Sequence, residues 1–338
     1  MRIRYIGSFP PPYGGVTIKN KLIADCLSKY FSISYPPRQS WIPSGVRQLL
    51  SIAQAMIPFQ TLILGISSRG GKSWLITKLL FCFNRRTMNR SLYFMMGGQE
   101  CYRIAASEEE LKCYSNYKQI YVETDSMADA LKRSGLTNVS VFPNCRQRPK
   151  VDYSNRVVKE QEKLRCVFFS QIQPQKGVGL ILEAARSSPD IEFSFYGSID
   201  PGFIEEFQEK VELYPNCRYM GVFKGSNEEV YRELSGYDVL LFPTQWDTEG
   251  VPGILVEAKI AGLPCIVSNM SYNSELVQDN EEGIVLLEND AESLIQAISK
   301  LDQDRELLHK LSDGSYQSAE RFYIENFIEE IVRQILIT

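Results

Sequence analysis

Phe242-Pro-Thr-Gln-Trp-Asp-Thr-Glu249-Gly-Val-Pro-Gly-Ile-Leu-Val-Glu257-Ala258 carries two glutamates eight positions apart. The run Asp238 to Phe242 reads as a buried strand. It feeds a loop holding Glu249 and a Gly250-Val251-Pro252-Gly253 turn, after which an apolar helix starts and carries Glu257 within about its first turn. Pro252 and the glycines place Glu249 before the helix rather than inside it. Such a junction puts both carboxylates at the mouth of a strand-to-helix crevice, where open α/β sheets bind their ligands. A helix N-terminus there also offers free N–H groups to an anion. Singly, an acidic residue near a helix start is favoured by the helix dipole in any protein. The pair, with Gly250 and Pro252 between its members and Ala258-Lys-Ile-Ala-Gly262-Leu-Pro264 after it, is much harder to explain that way.

A chain of 338 residues accommodates two domains with cores of their own. Its 44% hydrophobic and 23% charged residues are those of a soluble globular protein. The first 25 residues hold no apolar run ending at a small-residue cleavage site, so no signal peptide is expected. The longest apolar stretch, Trp74 to Phe83, is broken by Lys78 and is too short to span a bilayer. Eight scattered cysteines without a Cys-x-x-Cys pair, and a single histidine, make neither a zinc site nor a disulfide framework. A reduced, cytoplasmic protein without a metal is the expectation.

The net charge of −4 conceals an asymmetry. Residues 1 to 150 hold 21 Lys/Arg against 8 Asp/Glu, a balance of +13, and residues 151 to 338 hold 16 against 33, a balance of −17. The split points to two domains facing different partners, one of them anionic. Arg69, Lys72, Lys78, Arg85, Arg86 and Arg90 alternate with Trp74, Leu75, Ile76, Leu79, Leu80 and Phe81, a mixture that fits a surface helix on anionic lipid headgroups. An ordinary packed helix with a solvated basic face gives the same pattern. Nucleic acid is not expected, since no recognised binding module accompanies the charge.

Strand and helix patterns alternate in both halves, which predicts parallel α/β sheets. The first series has strands at Ile3–Gly7, Thr61–Leu64, Ser91–Met95, Gln119–Glu123 and Asn138–Phe142, with a helix from about Val16 to Tyr30. The polar segment Pro143 to Lys163 reads as the linker. The second series has strands at Leu164–Phe169, Glu192–Tyr196, Cys217–Tyr219, Asp238–Phe242 and Pro264–Val267. The expected domains are 1–155 and 156–321, with a terminal helix at about 322–338 returning to the first.

Gly14-Gly15, between the first strand and helix, allows close approach of a phosphate, as a plain tight turn also would. Lys176, in Ser170-Gln171-Ile-Gln-Pro-Gln-Lys176-Gly177, is expected at the start of a helix, where a cation is unfavourable unless it meets an anion such as a diphosphate. Gly65-Ile-Ser-Ser-Arg-Gly-Gly-Lys72-Ser73 resembles a P-loop but has one residue too many before Lys72. Asp302 and Asp304 read as helix caps rather than metal ligands, and His309 as a surface residue.

Together these residues resemble a retaining glycosyltransferase of the GT-B fold, family 4, of the kind that builds bacterial surface polysaccharides. The match runs through Glu249-x7-Glu257 and its Glu-Ala-x-x-x-Gly-x-Pro continuation, Val267-Ser268-Asn269, Glu275-Leu276-Val277, the Gly14-Gly15 loop and Pro143-Asn144. The resemblance implies two Rossmann-like domains facing each other across a cleft, with the C-terminal helix crossing back to the first. It implies a nucleotide-sugar donor of the UDP or GDP type, held mainly by the second domain, and a lipid-linked or growing saccharide acceptor. By it Glu249 contacts the sugar, Glu257 the ribose hydroxyls and Lys176 the departing diphosphate. Gly15 lends an N–H to the phosphate, Gly221 and Val222 form the base-contacting turn, and Gly250, Val251 and Pro252 complete the donor loop. No metal is needed where cations and helix termini stabilise the leaving group. The anionic inner face of the cytoplasmic membrane is the partner expected for the basic first domain.

Two features depart from the family pattern. Gln171 stands where an arginine is usual, five positions before Lys176, so one permanent charge on the diphosphate is missing. The region Phe94 to Glu100 lacks the usual acceptor-side histidine, leaving Glu100 as the polar candidate there. These departures keep two alternatives in view: an epimerase or phosphorylase on the same architecture, and a non-catalytic sugar-nucleotide-binding subunit. An epimerase needs acid–base groups around the sugar, which this chain supplies poorly.

Overall fold

The computed structural model describes residues 2–11, 14–35, 50, 52–58, 60–67, 71–153 and 163–337. The chain divides into two compact units, Met1–Gln147 with Tyr323–Thr338, and Arg148–Phe322. The first crossing therefore falls at 147/148 rather than at 155/156. Asn144, Cys145 and Arg146, inside the expected linker, are buried in the first unit. Residues 154–162 of that linker lie outside the described residues, as do 68–70 of the P-loop-like segment.

The first unit contains one parallel six-stranded sheet in the order β2-β1-β3-β4-β5-β6. Its strands are β1 (Arg2–Gly7), β2 (Ser32–Ser34), β3 (Thr61–Ser67), β4 (Leu92–Met96), β5 (Gln119–Val122) and β6 (Val139–Val141). The continuous apolar run of β4 is buried along its whole length, as expected of a strand covered on both faces. The helix Glu325–Leu336 buries Ile328, Ile331 and Ile335, a spacing that makes one apolar face. These residues join Ile23 and Leu27 of the helix Gly15–Leu27 in the core of the first unit. Ile324 N–H bonds the Arg146 carbonyl at 2.9 Å, fixing the point where the returning chain docks. The C-terminal helix thus belongs to the first unit.

The second unit contains a parallel sheet in the order β12-β11-β10-β7-β8-β9. Its strands are β7 (Arg165–Phe169), β8 (Glu192–Tyr196), β9 (Cys217–Gly221), β10 (Val239–Phe242), β11 (Cys265–Ser268) and β12 (Gly283–Leu286). Numbered within the unit this is the 3-2-1-4-5-6 Rossmann order, and β2 and β12 are strands the sequence reading did not anticipate. The strand order reverses between β7 and β10, which pair directly through Val239↔Cys166 and Leu240↔Val167. Connections leave the carboxyl ends of these two strands in opposite directions, opening a crevice there.

Candidate active site

Phe169 ends β7, and a three-residue 3-10 turn, Pro174–Lys176, precedes the helix Val178–Ser187. Lys176 therefore lies before that helix, not within its first turn. Gly177 between them has φ +73, and a Cβ there would meet the Pro243 carbonyl at 1.9 Å. Glycine at 177 is what lets the chain after β7 pass so close to the chain after β10.

On the neighbouring strand, Phe242 leads into the loop that carries Glu249, and the helix Gly253–Ile260 begins beyond it. Pro252 occupies the N-cap without a side-chain cap, so the helix presents its terminal N–H groups toward the loop. Glu257 is the fifth residue of this helix and half-buried, one turn deeper than the loop.

The two loops meet in an ion pair. Lys176 Nζ bonds Glu249 Oε1, with the two side chains only 9% and 13% exposed. The ammonium also lies 5.3 Å from the ring centre of Phe242 and 5.4 Å from that of Trp246. Aromatic faces favour a cation and exclude water around it. The second oxygen of Glu249 accepts from Thr244 Oγ1 at 3.0 Å. Ser271, at φ +54, donates its hydroxyl to the Glu249 carbonyl and ties the loop to the end of β11. The anion that compensates Lys176 in this state is thus Glu249 itself.

The remaining second-unit candidates surround the same sheet end. Gln171 is exposed just past β7, while Gly250 is half-buried and Val251 buried ahead of the helix. Gly221 ends β9 with φ +81, a backbone demand that accounts for glycine by itself, and Val222 after it is 52% exposed.

Two candidates belong to the first unit. Gly15 opens the helix Gly15–Leu27 behind Gly14, whose φ of −174 is open to any residue. A Cβ at either glycine would meet nothing within 4 Å, so no packing among the described residues requires them. Glu100 is 1% exposed, and its oxygens accept from Tyr93 Oη at 2.9 Å, Tyr114 Oη at 3.2 Å and Arg103 at 3.2 Å. Burial pushes its carboxyl above the usual range, against the lowering pull of its hydrogen bonds and of Arg103. The structure thus places Glu100 in the interior, occupied by a tyrosine network, instead of on an acceptor-facing surface.

The basic helix also reads differently in three dimensions. In Lys72–Phe83, Ile76 and Leu80 point into the core while Leu75 and Phe83 are exposed, Phe83 at 79%. Lys78 pairs with Glu109 at 2.8 Å, and the Arg85 guanidinium stacks on Phe81.

Sequence reading missed Thr244, whose only signal was a polar residue just beyond an apolar strand. It also missed two buried ion pairs. Lys19 meets Glu123 at 2.7 Å, and Lys259 meets Glu282 at 2.7 Å. No local pattern predicts which buried lysine meets which carboxylate. Among the described residues no cluster of three His, Cys, Asp or Glu side chains is placed to hold a metal, and no helix is long and apolar enough to cross a membrane.

Two parallel six-stranded units, one with a lysine–glutamate pair at its switch point, define the architecture of the GT-B glycosyltransferases. The model for glycosyl transferases group 1 matches residues 150–318, half of the chain, and the chain belongs to that family. A UDP-Gal:alpha-D-GlcNAc-diphosphoundecaprenol alpha-1,3-galactosyltransferase of Escherichia coli is 29% identical over 143 residues, 40% of this chain and 36% of that protein. A putative colanic acid biosynthesis glycosyltransferase, WcaL of Escherichia coli K12, is 29% identical over 225 residues, 59% of this chain and 54% of that one. The chain spans about a third to about half the length of these curated relatives. Among solved structures, Anabaena HepE in complex with UDP and glucose superposes with a TM-score of 0.71 at 14% identity over 99% of both chains. The lipopolysaccharide outer core galactosyltransferase WaaB gives 0.68 at 15%, again over 99% of both. At such identities these two establish the fold.

Proposed function

We propose that this glycosyltransferase moves a sugar, with retention of configuration and without a metal, from a UDP- or GDP-type donor to a lipid-linked or growing saccharide acceptor in bacterial O-antigen or capsule synthesis. The observation that carries this reading is the buried Lys176–Glu249 pair at the switch point between β7 and β10. It puts one cation and one carboxylate within a few ångströms of each other where an α/β sheet binds its ligand. Lys176 and the uncapped helix start at Gly253 supply positive charge for a departing diphosphate. Glu249 supplies an acceptor for sugar hydroxyls, and Glu257 one for the ribose. The names of the relatives support the setting, since one acts on a diphosphoundecaprenol-linked sugar and another is assigned to colanic acid.

Stabilisation by a panel of nucleotide sugars tests the donor, because a ligand of the native state raises the melting temperature. Transfer to a polyprenyl-diphosphate saccharide then tests the reaction. Glu249→Ala should abolish transfer and leave the fold intact, EDTA should leave transfer unchanged, and the product anomer should match that of the donor. Wild-type turnover in Glu249→Ala, loss of transfer in EDTA, or an inverted product each refutes its part of the reading.

The first unit we assign to the anionic inner face of the cytoplasmic membrane. The support is the excess of Lys and Arg over Asp and Glu in residues 1 to 150 and the exposed Leu75 and Phe83 beside Lys72, Arg85 and Arg86. Binding to vesicles containing phosphatidylglycerol should fall with rising salt and with Phe83→Glu. Equal binding to neutral vesicles would refute it.

A further inference from the structure

Both oxygens of Glu249 are engaged before any donor arrives, one by Lys176 and the other by Thr244. Lys176 is enclosed by Phe242, Trp246 and Glu249, so its ammonium has little water to fall back on. A diphosphate that reaches this lysine brings more negative charge than the carboxylate it meets. Two anions crowded on one weakly solvated cation repel each other.

Thr244 is built to stay in place through that exchange. Its residue is fully buried, and its carbonyl accepts from Ser268 Oγ at 2.7 Å and from Asn289 Nδ2 at 2.9 Å. Its hydroxyl oxygen also accepts the Trp246 N–H at 3.3 Å, and its one proton has the Gln175 carbonyl at 3.2 Å as a second acceptor beside the nearer Glu249 carboxylate. None of these bonds involves Lys176. The backbone of Glu249 is held separately, by its own N–H to the Trp246 carbonyl at 3.3 Å and by Ser271.

Resting on the donor reading above, we propose that the donor diphosphate displaces Glu249 from Lys176. Thr244 is then the positioning residue that holds the released carboxylate, leaving its Oε1 free for a sugar hydroxyl. Apo-protein thereby avoids a buried uncompensated lysine, and Glu249 becomes available to the sugar only when a diphosphate is present. A free sugar without the diphosphate meets an occupied carboxylate.

The experiment is calorimetric titration with UDP and with GDP, together with steady-state transfer kinetics, on wild type, Glu249→Gln, Thr244→Val and Thr244→Ser. Glu249→Gln removes the competing charge and should bind its nucleoside diphosphate about tenfold tighter, although transfer is lost. Thr244→Val should leave that affinity and the donor KM within about twofold and lower kcat on the order of 10- to 100-fold. Thr244→Ser, which keeps the hydroxyl, should recover most of kcat. Unchanged or weaker nucleotide binding by Glu249→Gln overturns the exchange and leaves the donor reading standing. A Thr244→Val defect confined to KM, or one that Thr244→Ser does not repair, overturns the positioning role. If neither UDP nor GDP binds wild type, the donor reading fails and this proposal fails with it.

Discussion

Lys259 sits on the same helix as Glu257, and its side chain is fully buried against Glu282 Oε2 at 2.7 Å and Ser318 Oγ at 2.9 Å. Glu282 also accepts from Arg321 at 2.7 and 2.9 Å and from the Gln278 N–H at 3.1 Å. Glu282→Gln keeps the shape and leaves the ammonium facing a neutral amide. Breaking a buried pair from one side costs about 3–5 kcal/mol, because the remaining charge stays desolvated. Arg321 adds little to that figure, since its side chain is 49% exposed and a solvated pair is worth about 0–1 kcal/mol. The expected shift in urea midpoint is about 1–2 M, followed by circular dichroism on the whole chain.

The pH dependence gives a second readout on the same variant. Burial lowers the Lys259 pKa below the ordinary lysine value of 10.5, with Glu282 pulling the other way. Between the lowered folded value and 10.5 the unfolded chain binds more protons, so stability from this group rises with pH across that window. Removing Glu282 lowers the folded value further, so Glu282→Gln should regain stability from a lower pH upward. Lys259→Met combined with Glu282→Gln should recover most of the loss at neutral pH. A cost below about 1 kcal/mol, far less than a broken buried pair should show, would refute the reasoning. So would a double variant no better than the single one.

Gly15→Ala should leave the melting temperature unchanged or slightly higher, because its Cβ meets nothing and alanine favours a helix start over glycine. Donor KM should nevertheless rise if a phosphate passes there, and unchanged kinetics would release Gly15 from the site. Gly177→Ala should cost about 1–3 kcal/mol through its left-handed backbone alone, with the clash on Pro243 adding to it, and should weaken nucleotide binding by moving Lys176. A variant with wild-type melting and binding would contradict both effects. Glu100 has a raised folded pKa, so its contribution is full below about 4.5 and is lost as pH rises through the folded value. Glu100→Gln should accordingly gain on wild type in urea unfolding between pH 4.5 and 8, and a constant difference across that range would refute the assignment.

Much of the site was legible because local chemistry carries it. Glu249 had to precede the helix because Pro252 and the glycines stop a helix from forming earlier, and Gly253 is indeed its first residue. Lys176 reads from the sequence as a cation in need of an anion, and in the structure Glu249 is that anion. Glu100 misled because exposure cannot be read from a single polar residue. Its neighbours Tyr93 and Tyr114, seven and fourteen positions away, are what draw it inside. The pattern around Ile76 and Leu80 fits a lipid-facing helix and a packed one alike, and packing assigns these two residues to the core.

Taken alone, the sequence determined the alternation of strand and helix, the presence of two α/β series and the loop chemistry around Glu249 and Glu257. These follow from side-chain periodicity and backbone stereochemistry, which act over a few residues. Only the tertiary structure decided that β7 lies beside β10, bringing together Lys176 and Glu249, 73 positions apart, and setting Thr244 against them. A strand's own pattern records that it is buried, not which strand it adjoins. In a parallel sheet that choice is made by the crossover helices and the non-local packing they bury.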